Sequence, residues 1–216
     1  MQEIIEKILN GKWFSGENAP FKAKFTLENP HLTIITGPNA SGKSVLRKIL
    51  NSAAYDNNIL YINTSQSDRS NSSGLKRVAM YGSELDDSTG YNSVKCLLGA
   101  FRTTNNSEKN NIVMLDEPEI GCSEEVQAAM GKRIADEMSN LETKSKLLCC
   151  FVITHSRELV KSLMHLKPSH WRLSNDGLTL SEYTNREVIP ANLEELIEQG
   201  HKTWSLVEKT MKKGKK

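Results

Sequence analysis

Apolar and polar positions along the chain switch between two periods. Short runs with almost no polar residue occur at His31-Leu32-Thr33-Ile34-Ile35, Ile59-Leu60-Tyr61-Ile62, Ile112-Val113-Met114-Leu115 and Leu147 to Thr154. Such runs predict strands covered on both faces. Segments with helical spacing lie between them: Gly42 to Ala53 (through Val45, Leu46, Ile49 and Leu50), Gly90 to Arg102, Glu124 to Leu141 and Leu193 to Val207. Residues 1–10 read as a short amphipathic helix ending at Gly11, and Phe21, Phe25 and Leu27 as one or two edge strands. Trp171-Arg172-Leu173 and Leu178-Thr179-Leu180 flank Asn175-Asp176-Gly177. Asp-Gly is a strong turn signal, so a hairpin is expected there. The small, polar stretches Asn63 to Gly74 and Thr103 to Asn111 read as loops. Strands alternating with helices predict an α/β fold: one domain over 1–205 with a mainly parallel central sheet, an antiparallel edge strand near each end, and a basic tail over 206–216.

Composition narrows this little. With 216 residues, 38% of them hydrophobic, the chain is long enough for one packed core. Its longest apolar run, Leu147 to Ile153, has seven residues. A membrane span needs about 20, so no membrane association is expected. The opening Met1-Gln2-Glu3-Ile4-Ile5-Glu6-Lys7 is charged and amphipathic, unlike a secretory leader. Cys96, Cys122, Cys149 and Cys150 show no zinc-ligand spacing, and the last two fall in an apolar run. A cytoplasmic, reducing compartment fits. A net charge of +2 neither argues for nucleic acid nor excludes it.

The chemistry gathers where apolar runs end. Gly37-Pro38-Asn39-Ala40-Ser41-Gly42-Lys43-Ser44 matches GxxxxGK[ST] between a strand and a helix. Its glycines let backbone N–H groups curl around phosphate oxygens, and the helix N-terminus adds partial positive charge. Lys43 would reach the β- and γ-phosphates and Ser44 would hold Mg²⁺. Asp116-Glu117-Pro118-Glu119 comes directly after the 112–115 run. That places Asp116 at the carboxyl end of a buried strand, where ligands bind in open α/β sheets. Asp116 would complete the Mg²⁺ shell and Glu117 would polarise an attacking water. Thr154-His155-Ser156 ends the next run, so His155 arrives on the same edge, placed to sense the γ-phosphate.

On these motifs the chain resembles the ABC-class ATPases, a branch of P-loop NTPases. Its 37–44 loop, Asp116-Glu117-Pro118 and Thr154-His155-Ser156 are similar to Walker A, Walker B and the switch histidine. Asp116-Glu117-Pro118-Glu119-Ile120-Gly121 and Ile153-Thr154-His155-Ser156-Arg157-Glu158-Leu159 resemble the RecF-like, SMC-like and OLD-type branch. The resemblance spans roughly residues 20–180. It implies ATP and Mg²⁺ as cofactors, hydrolysis of ATP, and a site completed by a second subunit. An ATP-dependent homodimer is the implied assembly, working with a further protein partner.

Two weaker elements carry over. Gln66 stands where the family's Q-loop glutamine would approach Mg²⁺. Ser88-Thr89-Gly90-Tyr91-Asn92 stands where the signature Leu-Ser-Gly-Gly-Gln precedes a helix, and there Ser88, Thr89 and Gly90 would meet a γ-phosphate. It departs from the family in Tyr91 and Asn92, and Ser70-Asn71-Ser72-Ser73-Gly74 rivals it. Ser123 stands where the family often has an aspartate. Trp13 or Phe14 is open as an adenine-stacking ring, with a core role equally open. From Gln66 to Ser88 is 22 positions. That is too short for a coiled coil or the family's helical insert, so the helical subdomain is expected to be much reduced. Four functions remain open: a soluble ATPase switch in DNA repair, recombination or defence; a DNA-binding ATPase using the lysines at the C-terminal end; a transporter subunit; and an ATP-dependent module without hydrolysis.

Overall fold

The three most apolar runs form neighbouring strands at the centre of a six-stranded sheet. A computed structural model describes residues 2–17, 19–65, 88–141 and 146–213. Its strands are β1 (Lys24–Thr26), β2 (Leu32–Thr36), β3 (Leu60–Thr64), β4 (Asn111–Asp116), β5 (Leu147–Ile153) and β6 (Ser169–Arg172). They lie in the order β1-β6-β2-β5-β4-β3. All neighbours are parallel except β1 and β6.

The described helices are α1 (Gln2–Leu9), α2 (Lys43–Asp56), α3 (Thr89–Asn105), α4 (Glu124–Ser139), α5 (Arg157–Leu163), α6 (Leu180–Asn185) and α7 (Leu193–Lys213). They cover both faces of the sheet, and the strands' period of two divides the core accordingly. Leu32, Ile34, Val113, Leu115, Cys150 and Val152 face one way, against apolar residues of α3, α4 and α5. Ile35, Ile112, Met114, Phe151, Ile153 and Trp171 face the other, against α1, α2 and Val207 of α7. Cys149 and Cys150 are wholly buried, as their setting suggests, and burial pushes the Cys149 thiol up to about 12.

Two expectations need correction. Of the antiparallel edge strands expected near each end of the chain, β1 is one, pairing antiparallel with β6, whereas β6 itself is no edge but lies between β1 and β2. Nor is there a hairpin after β6. Thr179 caps α6 instead, its hydroxyl accepting from Glu182 N–H while the Glu182 carboxylate accepts from Thr179 N–H. This reciprocal capping box outcompetes a strand at 178–180. Asp176 closes the intervening turn with its carboxylate on Arg172. The last helix runs through Lys213, past the expected Val207. Among the described residues no helix is long and apolar enough to cross a membrane.

Candidate functional site

The candidate residues sit at the carboxyl ends of β2, β5 and β4, three neighbours in the sheet. Register aligns Ile35 with Ile153 and Ile153 with Asp116, so the chains leave the three strands at one level. The 37–44 loop extends β2, Glu117 to Cys122 extend β4, and Thr154 to Ser156 extend β5.

Absent side chains shape the first loop. A Cβ on Gly37 would lie 2.5 Å from Ser41 Oγ and 2.8 Å from the Leu173 carbonyl oxygen. Gly42 has φ +96°, and a Cβ there would lie 2.5 Å from the Phe21 ring. Only glycine takes both that backbone angle and that contact without strain. Ala40 is also left-handed, at φ 59°. No side chain caps α2. Its first N–H groups therefore face the loop without intrahelical partners. The buried Ser41 Oγ has no hydrogen-bond partner among the described residues. Pro38, Asn39, Ala40 and Ser44 are exposed.

Lys43 is buried, and its Nζ donates to the carbonyl oxygens of Gly37 at 3.0 Å and Pro38 at 2.9 Å. Burial holds its pKa below the ordinary lysine value, partly offset by the charges of Glu117 and Asp116. Asp116 Oδ2 lies 3.3 Å from Arg47 Nε, and Arg47 also donates to Ser65 Oγ at 2.7 Å. Any cation taken by Asp116 therefore shares that carboxylate with Arg47.

Glu117 takes a left-handed backbone, φ 51°, while its N–H donates to the Ile153 carbonyl oxygen. Its Oε1 lies 3.4 Å from His155 Nε2, and both side chains are partly open to solvent. The hydrogen bond from His155 holds Glu117 below the usual carboxylate range; burial opposes this, and the charges of His155 and Lys43 reinforce it. Glu117 is therefore ionised at neutral pH, as an acceptor of a water proton must be.

A brace behind this pair was not expected from the sequence. Glu119 is buried, and its Oε1 accepts from Thr154 Oγ1 at 2.7 Å, His155 N–H at 2.8 Å and Ser156 N–H at 3.1 Å. Gln127 of α4 accepts from Ser156 Oγ and donates to the Cys122 carbonyl oxygen. Tyr183 donates to the His155 carbonyl oxygen at 3.1 Å. The only sequence sign was an acid after Asp116-Glu117-Pro118. Arg47 had a plainer one: it stands one helical turn beyond Lys43, on the same face.

Ser88, Thr89 and Gly90 have other neighbours. Ser88 caps α3, accepting from Tyr91 N–H. A Cβ on Gly90 would lie 2.3 Å from the Gly121 carbonyl oxygen, so close packing within the chain already requires that glycine. Phe14 is core, packed with Phe21 and Trp171, and Trp13 lies half-buried beside Phe21. Gln66 and the Ser70–Gly74 stretch lie outside the described residues.

The donors at the 37–44 loop fit a chain of phosphates: open helix N–H groups, a lysine and a backbone without Cβ atoms. Among the described residues no three His, Cys, Asp or Glu side chains gather to hold a metal alone. Ser44 and Asp116 suit Mg²⁺, which takes few protein ligands and fills its shell with water and phosphate oxygens. In comparison with known proteins, neither a protein-family model nor a curated protein sequence matches the chain.

Proposed function

We propose that the chain is an ABC-class P-loop ATPase that binds and hydrolyses ATP with Mg²⁺ and uses the nucleotide as a switch between subunit arrangements. One observation carries the reading. A glycine-shaped loop with a buried lysine, an acid at the end of the strand β4, and a carboxylate–histidine pair meet at the carboxyl edge of adjacent parallel strands. Phosphoryl transfer needs little more than such positioning and charge.

The chain's own groups divide the work. The N–H groups of 37–44 and the α2 N-terminus bind the phosphate oxygens. Lys43 exchanges its two carbonyl partners for phosphate oxygens and so gains the negative charge its burial lacks. Ser44 and Asp116 would hold Mg²⁺, which would supply charge neutralisation to the phosphates when bound. Glu117 accepts a proton from water, and His155, held 3.4 Å away, orients the carboxylate and the terminal phosphate. Glu119 keeps the His155 backbone in place. Completion of the site by Ser88-Thr89-Gly90 of a second copy, and a role in DNA repair, recombination or defence, rest on the motif resemblance.

Phosphate release from ATP by the full chain with Mg²⁺ tests hydrolysis. The reading expects repeated turnover by the wild type, and a Glu117→Gln chain that still binds ATP but releases almost no phosphate. A wild type that binds ATP without releasing phosphate would reduce the function to nucleotide-dependent binding.

A further inference from the structure

Arg47 of α2 ties together three elements at the carboxyl edge of the sheet. Its carbonyl oxygen accepts from the Tyr61 hydroxyl of β3 at 3.2 Å, and its Nη1 donates to Ser65 Oγ, just past β3, at 2.7 Å. Its Nε lies 3.3 Å from Oδ2 of Asp116, the last residue of β4. Thr64 stands opposite Leu115 in the parallel register, so Ser65 and Asp116 leave neighbouring strands at one level. The Arg47 and Asp116 side chains are only 11 and 17% exposed. A pair buried to this degree is screened little by salt.

The 3.3 Å separation exceeds the about 2.7–2.9 Å of a charge-assisted hydrogen bond. Charge more than a formed bond holds the pair, so a stronger cation can take the carboxylate. Ser65 is buried and anchors the guanidinium beside it. An arginine cannot shed its proton to make room. Lys43 is a second cation within reach: burial lowers its pKa, and the charges of Glu117 and then Asp116 oppose this. A divalent ion arriving alone would thus meet a shared carboxylate and two positive charges. The phosphates of a nucleotide reverse that balance, because they bring negative charge and metal ligands together.

We propose that Arg47 is the resident counter-ion of Asp116 and makes metal binding at this site conditional on nucleotide. The inference rests on the reading of Asp116 as a Mg²⁺ ligand and deepens it. The site rejects the free ion and accepts it together with ATP.

Water-proton relaxation by Mn²⁺, standing in for Mg²⁺, tests this on the full chain, because a protein-bound ion enhances relaxation above the free ion or its nucleotide complex. Wild type should give strong enhancement with a β,γ-imido analogue of ATP and little without it. Arg47→Met, which keeps the bulk and drops the charge, should bind Mn²⁺ without nucleotide at least about tenfold more tightly than wild type. Arg47→Gln, which also keeps a donor for Ser65, should do the same and carries the test if Arg47→Met does not fold. Arg47→Lys keeps the charge and should stay near wild type. Adding Asp116→Asn to Arg47→Gln should remove the gain, which puts the ion on that carboxylate. Neutral variants that gain nothing, an equal gain in Arg47→Lys, or a gain that survives Asp116→Asn overturns the role of Arg47 and leaves the nucleotide reading standing. So does a wild type that binds Mn²⁺ as tightly without the analogue as with it. A wild type with no enhancement even with the analogue overturns the nucleotide reading, and this inference with it.

Discussion

The loops on either side of the candidate site are built by opposite means. The 37–44 loop is held open by missing side chains: Gly37 and Gly42 admit Ser41, Leu173 and Phe21 where a Cβ would stand. The 154–156 loop is held shut by an added one, since the Glu119 carboxylate gathers three donors from it. The first loop, proposed to wrap an anion, leaves the N–H groups at the uncapped start of α2 open. A loop that must aim one imidazole uses its N–H groups up. Their tolerance of substitution should differ accordingly.

The largest expected effect lies between the two loops. Glu117→Gln keeps the shape and removes the proton acceptor, so turnover should fall about 10²–10⁴-fold with ATP affinity little changed. Single-turnover phosphate release beside equilibrium binding would check this. Gly42→Ala should come next. It meets an unfavourable positive φ and the Phe21 ring together, for a loss of about 3 kcal/mol in denaturant unfolding, with weaker ATP binding.

Glu119→Ala should cost somewhat less, about 2–3 kcal/mol, because Thr154 and two N–H groups lose their shared acceptor. Its turnover should fall with KM unchanged. Glu119→Gln, which keeps an acceptor oxygen, should recover most of both. Equal damage from the two substitutions would mean that charge, not the clamp, matters.

The smallest effect concerns His170 of β6, opposite Ile34 of β2. Thr36 Oγ1 accepts from Arg172 and so has its proton free for His170 Nε2, 2.8 Å away. Burial, then the Arg172 charge, holds His170 down to about 4. The unfolded chain takes up this proton near pH 6.5 and the folded chain only near 4. Stability is therefore full above pH 6.5 and declines as pH falls through that window, by about 2 kcal/mol at pH 5. Asp176, held to about 2 by its hydrogen bonds from Arg172, adds a further loss only at lower pH. His170→Gln should flatten unfolding free energy between pH 6.5 and 4 and leave the acid limb below it.

How legible each feature was in the sequence depends on how local its determinant is. β2, β4 and β5 are built on apolar runs with almost no polar residue, so their existence and their burial on both faces were evident. The residues at their ends were evident for the same reason, because a buried strand delivers the next few residues to one edge. The hairpin expectation failed where two local signals competed: Asp176-Gly177 is a turn, but Thr179 with Glu182 starts a helix. The place of β6 between β1 and β2 depends on which strands it joins and leaves no mark on four residues. Glu119 was illegible as a clamp because its partners lie 35 to 37 positions further along the chain.

The central claim is that the 37–44 loop binds nucleotide through Lys43. Titration calorimetry of the full chain with ATP and Mg²⁺, wild type beside Lys43→Ala, tests it most directly. The account predicts saturable binding at one site per chain, weakened at least about 100-fold by the substitution, or roughly 2.7 kcal/mol. A wild type that takes up no ATP at millimolar concentration, or a Lys43→Ala chain that binds as well as the wild type, would contradict it.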